Sequence, residues 1–323
     1  NNAPRLDYST GAEAFLLEPQ RSNLINYSED FSQWVKSGNA VVSDGFAISP
    51  DGNINASKFT FDGTTNATVN KTISVTNGVP YTFSVWLKND NLSDPTKVWI
   101  GLSTTTQGEY VTVTNVWKRF IITSTSNGTL EYPRVQTSEV GSIFAWGAQL
   151  EEGSYATSLI PSAGSQTTRN QETCNNATPE INSEEGVLYA EISALADEAI
   201  NRQITLSDGN NNVISFSYDG ASNNTNATIK INGIVNRSFN YVLSDVAQFS
   251  KIAIRYSNTE FSFWVNGVER SVNTLASSFT SGTLNKLSFA NSTNSQNFFG
   301  NTKDVQVYTK ALSDAELIKL TTI

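Results

Sequence analysis

Histidine and methionine are absent from the 323 residues, cysteine occurs once, and only 16 % of the chain is charged. Each absence excludes something. Without histidine the chain can build neither a Ser-His-Asp nor a Cys-His nucleophile, and it offers no imidazole to a metal. The lone thiol, Cys174, forms no disulfide within the chain and anchors no zinc cluster. No apolar run reaches the roughly 18 residues of a membrane-spanning helix. Lys and Arg number 21 against 30 Asp and Glu, a net charge of −9 with no basic cluster. Nucleic acid and anionic lipid are therefore disfavoured as partners. Glycine-rich phosphate loops and GxSxG elbows are missing too. The opening NNAPRLDYS lacks an initiator methionine and a signal-peptide pattern, as expected of a piece of a longer or processed product.

What the chain does have is aromatic side chains, 17 Phe, 11 Tyr and 6 Trp, too many for a disordered polymer. Turn pairs punctuate it: Asp-Gly at 44, 51, 62, 208 and 219, and Asn-Gly at 77, 127, 232 and 266. Between them run short alternating segments such as KFTF, WKRFIIT, VISFSY, KIAIRY and FSFWV. Short strands at this spacing predict an all-β protein of antiparallel β-sandwich (jelly-roll) domains. The length suits two domains in tandem of roughly 150 residues each. The stretch 158–186, rich in small polar residues and without sustained alternation, places the boundary near 168, giving domains 1–168 and 169–323. Leu159 and Ile160 are apolar enough to pack on a neighbouring sheet. One short helix is expected, in LSDAELIKLTTI, where Ser313 and Glu316 form a capping box and Leu312, Leu317 and Leu320 tie it down.

Two strands carry tryptophan on the face that should be wet. In YTFSVWLK, Tyr81, Phe83, Val85 and Leu87 share one face, and Thr82, Ser84, Trp86 and Lys88 the other. In KVWIGL, Val98, Ile100 and Leu102 oppose Trp99. An exposed indole stacks on the C–H face of a sugar ring, and polar neighbours bind its hydroxyl rim. Trp86 and Trp99, with Tyr110 and the rim groups Thr82, Ser84 and Lys88, form the candidate site for a polysaccharide or cell-surface glycan. Trp264, beside Asn266 at an Asn-Gly turn, is the second domain's analogue. Three other placements stay open for the indoles: cover by loops or by Ala14–Leu17, docking of the two domains, and subunit contact. Trp146, in register with Phe144, Ala148 and Leu150, reads as core.

The stretches PRLDYSTGAEAFLLEPQRSNLINYSEDFSQW and GAQLEEGSYATSLIPSAGSQTTR resemble segments of bacteriophage tail and head-fibre proteins. Residues 22–150, with NLI, VPYTFSVWLK, VWKRF and FAWGAQLEEG, resemble jelly-roll carbohydrate-binding modules. Residues 185–323, with EGVLYAEI, KIAIRYSNTEFSFWVNGVER and KDVQVYTKALSDAELIKL, resemble laminin-G or concanavalin-A-like domains. These resemblances imply a phage fibre fragment on the virion surface, extracellular, a homo-oligomer with a trimer favoured, among other virion proteins. Many such jelly rolls hold a structural calcium. Here Glu29 and Asp30 are available at the first strand but the last strand supplies no acid before Glu151, so no cofactor is assigned and calcium stays open in the first domain.

No strand presents paired carboxylates in the E-x-D-x-x-E manner of concanavalin-A-like glucanases, and the chain is expected not to be an enzyme. The expected function is non-catalytic adhesion to a polysaccharide. A structural or capsid-decoration module, and an accessory module of a larger polysaccharide-degrading enzyme, are the alternatives. The acidic net charge points to neutral or amino sugars.

Overall fold

A computed structural model describes residues 5–8, 11–90, 96–103, 106–198, 200–274 and 277–323. The protein is all-β, with antiparallel pairing throughout its sheets and one C-terminal helix. It divides into two compact units, 20–170 and 1–19 with 171–323. The second junction lies two residues from the sequence-based boundary. The first 19 residues, however, belong with the later unit. Ala14–Leu17 pairs with Gly300–Tyr308, setting Phe15 against Thr302 and Leu17 against Gly300. It is a strand of that sheet.

The 20–170 unit is a sandwich of two five-stranded sheets. The front sheet runs in the order Gly108–Thr112, Lys97–Gly101, Arg134–Thr137, Ala67–Asn70, Val35–Ser37. The back sheet runs Lys118–Thr125, Pro80–Asn89, Val140–Glu152, Ile54–Asp62, Val41–Ile48. Strand alternation builds the core. Phe83, Val85 and Leu87 from the back sheet meet Val98, Ile100 and Val135 from the front, all fully buried. Trp34 joins them at the rim, its ring 5.0 Å from Phe31 and its Nε1 donating to Tyr27 O at 3.1 Å. Arg21–Asn23 pairs with Thr167–Arg169 and closes the two ends of the unit on each other.

The other unit packs a seven-stranded sheet on a five-stranded one. Ile231 pairs with Ile234 and Val265 with Val268, so Asn-Gly at 232 and 266 form two-residue hairpins. Both Asn and Gly take positive φ there, between 51° and 84°, which asparagine and glycine tolerate best. The helix Asp314–Thr321 forms as expected: Ser313 accepts from the Glu316 N–H and the Glu316 carboxylate accepts from the Ser313 N–H. Its Leu317 is fully buried against Val187, Tyr189, Ala253 and Trp264.

Two outcomes follow from this packing. Trp264→Ala should destabilise the chain by about 3–5 kcal/mol, the cost of emptying an aromatic core site, seen as an earlier denaturant midpoint by circular dichroism. Glu131 is 1 % exposed, and burial raises its pKa above the usual carboxylate value, with hydrogen bonds from Ser126 and Gln107 acting the other way. The unfolded chain releases that proton at lower pH, so stability falls as pH rises from the unfolded to the folded pKa and stays lowered above it. Glu131→Gln should therefore raise the melting temperature at neutral pH, and the gain should vanish below about pH 4.

Candidate functional site

Because both sheets share one core, side chains of opposite parity leave the sandwich on opposite sides. Trp86 points out from the back sheet and Trp99 from the front sheet. The two indoles are not on neighbouring strands: Pro80–Asn89 pairs with Lys118–Thr125 and Val140–Glu152, while Lys97–Gly101 pairs with Gly108–Thr112 and Arg134–Thr137. A single platform holding both tryptophans does not exist. Sequence spacing had suggested one because consecutive strands often pair; here the chain crosses between sheets after Asn89.

Around Trp86 the back sheet is largely covered. Thr82 and Ser84 are fully buried and are not rim groups for a ligand. The Thr82 hydroxyl donates to Gly153 O at 2.8 Å, and Arg119 Nη2 donates to Ser84 Oγ at 2.8 Å. The residues after the long strand fold back over this face. Gln149 Nε2 donates to Thr157 O and Ser158 O at 3.3 Å each, and its Oε1 accepts from Ile160 N at 2.6 Å. Glu151, also fully buried, accepts from the Thr157 N–H at 2.9 Å and from its hydroxyl. Leu159 then lies beside Gly147, 3.1 Å from where a Cβ would stand, with Trp86 Cδ1 at 3.3 Å. Trp86 is left half-buried, and Lys88 extends over the Trp117 ring at 6.0 Å. Trp146 is 6 % exposed but lies outside the inter-sheet core, paired with Trp86 on the outer face. A bulge at Gly147, with φ of +63°, shifts the alternation so that Ala145 and Ala148 both point inward.

The front sheet is built differently. Trp99 pairs with Tyr110, their centroids 5.2 Å apart and their planes at 74°. Tyr110 is 55 % exposed, and Lys97 Nζ stands 4.5 Å from its ring centroid. The indole leans along the sheet across two facing glycines. A Cβ on Gly101 would lie 2.9 Å from Trp99 Nε1, and one on Gly108 would lie 2.9 Å from Cζ2. Only residues without a side chain leave that space. The posture leaves the indole N–H buried and without an acceptor among the described residues, a cost of about 1–3 kcal/mol.

Arg134 pairs with Gly101 and Gln136 with Trp99, so both flank the indole. Gln136 is held in place, its Nε2 donating to Asn66 Oδ1 at 3.0 Å and its Oε1 accepting from the Thr68 hydroxyl at 3.2 Å. Arg134 is 7 % exposed. Its Nε donates to Tyr132 O at 3.2 Å, and burial pulls its pKa below the ordinary value, with Tyr132 acting the other way. Glu109 is the one acid in the five strands of this sheet and has the opposite parity. Of the eight candidates, the structure brings together only Trp99 and Tyr110. Gly101, Gly108, Arg134 and Gln136 were missed. The glycines were readable as partners at register, but Arg134 and Gln136 sit in a four-residue strand with no turn pair or long alternation to mark it.

Trp264 is 3 % exposed beneath the C-terminal helix, its Nε1 donating to Ser262 Oγ at 2.9 Å, and flanks no site. Asn266 serves the hairpin, its N–H donating to Lys251 O at 3.0 Å and its Oδ1 accepting from Lys251 N at 2.9 Å. Asp30 accepts from the Ser32 N–H and hydroxyl at the start of the short helix Phe31–Gln33. Burial and the neighbouring Asp51 raise the Glu29 pKa. Among the described residues no three Cys, Asp or Glu side chains gather to hold a metal.

Residues 190–318 match the family model described as the concanavalin A-like lectin/glucanases superfamily. No curated protein matches the chain significantly. Among solved structures the chain is similar to the Ruminococcus gnavus IT-sialidase CBM40 bound to alpha2,3 sialyllactose, with 16 % identity, TM-score 0.37, and 43 % of this chain and 83 % of that one covered. It is similar to a CBM4 at 16 % identity and TM-score 0.30, over 40 % of this chain and 99 % of the other. It is also similar to domains LG4-5 of the mouse laminin alpha1 chain, at 9 % identity and TM-score 0.30, over 79 % and 91 %. Likenesses of this size assign no ligand, and the matched residues 190–318 belong to the later unit, whereas Trp99 belongs to the 20–170 unit.

Proposed function

We propose that this chain is a non-catalytic glycan-binding protein and that the outer face of the front sheet is its binding surface. The observation that carries this reading is the Trp99–Tyr110 corner. Two glycines let the indole lie along the sheet, an exposed tyrosine stands edge to it, and polar side chains flank both. Large, stiff aromatic surfaces of this kind bind the apolar faces of sugars at low entropic cost. The strands place no Asp or Glu on that face, so hydrolysis by paired acids has no reagents there.

The resemblance of the opening stretch and of Gly147–Arg169 to phage fibre segments supports a finer setting: display on a virion surface as a homo-oligomer, with a trimer favoured. Linked copies would raise a weak single-site affinity through effective concentration.

A glycan array probed with the intact chain tests the reading. Trp99→Ala and Tyr110→Ala should each lose about 2 kcal/mol of binding, the scale of a truncated aromatic hot spot, or roughly thirtyfold in Kd. Trp86→Ala should bind as the unaltered chain does. If the unaltered chain retains no glycan, and Trp99→Ala instead separates subunits in sedimentation, the surface is an assembly contact and the adhesion reading fails.

A further inference from the structure

The least accounted-for charge on the front sheet is Arg134. A guanidinium carries five N–H donors, and although most of the Arg134 side chain is buried, its terminal amino groups are not among the buried atoms left without a partner and so reach the surface. Arg134 has no carboxylate partner among the described residues. Its Nε is satisfied by Tyr132 O, while its two terminal amino groups meet no acceptor among the described residues. The Tyr132 ring centroid is 6.0 Å from the guanidinium carbon, an aromatic neighbour but not an anion. The other arginines of the chain for which ion pairs are resolved behave differently: Arg5, Arg202 and Arg255 each lie within 2.8 Å of a carboxylate oxygen.

Position gives these open donors a meaning. Arg134 is in register with Gly101, over which the indole Nε1 lies, so the unpaired cation borders the tryptophan edge. Lys97 adds a second positive charge on the far side, above Tyr110. No Asp or Glu of the five strands shares the face, and the Glu139 carboxylate at the Lys97 end is engaged by the N–H groups of Thr96 and Lys97. We infer that the surface recognises a saccharide bearing a carboxylate, with the sugar ring against Trp99 and Tyr110 and the carboxylate in the fork of Arg134. Arginine suits this task because its planar donors match a carboxylate bidentately. The net charge of −9 does not oppose it. Exposed charges beyond about 8 Å are largely screened at physiological salt, and the contact is decided by the local guanidinium. The direction differs from the neutral or amino sugars to which net charge alone points.

This inference rests on the adhesion reading, and the experiment separates the two. The intact chain is titrated with an array of uronate-containing oligosaccharides, each paired with its carboxyl-reduced form. The unaltered chain should bind the acidic member at least tenfold more tightly than its reduced partner, with affinity falling as salt rises. Arg134→Gln should erase that preference while keeping the weaker binding of the reduced members, and Arg134→Lys should restore part of it. Equal affinity for both members of every pair overturns the inference and leaves the adhesion reading standing, as does a preference that survives Arg134→Gln. No binding to any member overturns both. Should Arg134→Gln fail to fold, the comparison of paired ligands on the unaltered chain still decides.

Discussion

The two-residue period of an extended strand governs nearly everything in the 20–170 unit, and one bulge resets it. Val140–Glu152 is the longest strand and pairs on both sides, so its parity fixes the faces of its neighbours. Ahead of Gly147 it sends Phe144 and Trp146 outward. Beyond it, Ala148 and Leu150 point in, while Gln149 and Glu151 point out. The outward pair then grips residues 157–160 through buried hydrogen bonds. A carboxylate and an amide on an outer face thus become interior groups, satisfied by the backbone they hold.

That clasp explains why two tryptophans in similar sequence settings end in different surroundings. Trp86 shares its face with the clasp and is partly roofed by the segment held there. Trp99 lies where the neighbouring positions are glycines, so the sheet itself yields room and the ring lies down. Its orphaned N–H is the local cost of that posture. Both indoles leave the core for the same reason, alternation; what lies above each is decided by residues far away in the chain.

Much of the fold was legible because it rests on local signals. Alternating runs became strands, Asn-Gly at 232 and 266 became hairpins, and Ser313 with Glu316 capped the helix as spacing required. The inward faces of both tryptophan strands were also readable. Pairing was not. Nothing in YTFSVWLK or KVWIGL says that these strands lie in different sheets, and alternation makes the face of Thr82 and Ser84 wet without showing what lies above it. Trp146 was placed in the core because a bulge leaves no mark in a hydrophobic pattern except a glycine, one among 20. Trp264 alternated outward as expected, yet an outward face of a sheet is not a free one once a helix lies on it. Of the site, the aromatic half could be read; the glycines and Arg134 depend on cross-strand register, which is a tertiary fact.

The pairing of Ala14–Leu17 with Gly300–Tyr308 has a consequence for how the molecule is made. A ribosome delivers this apolar strand nearly 290 residues before its partner. The intervening unit has its own core and joined ends, so it is free to fold during that interval, while Ala14–Leu17 has only the short strand Arg5–Asp7 beside it and its other edge stays open. Non-local pairing of this span is intrinsically slow, and a solitary apolar edge is a template for association with other chains. The interval between synthesis of these two paired strands is thus a period in which a nascent chain is exposed to a chaperone, or to another copy of itself.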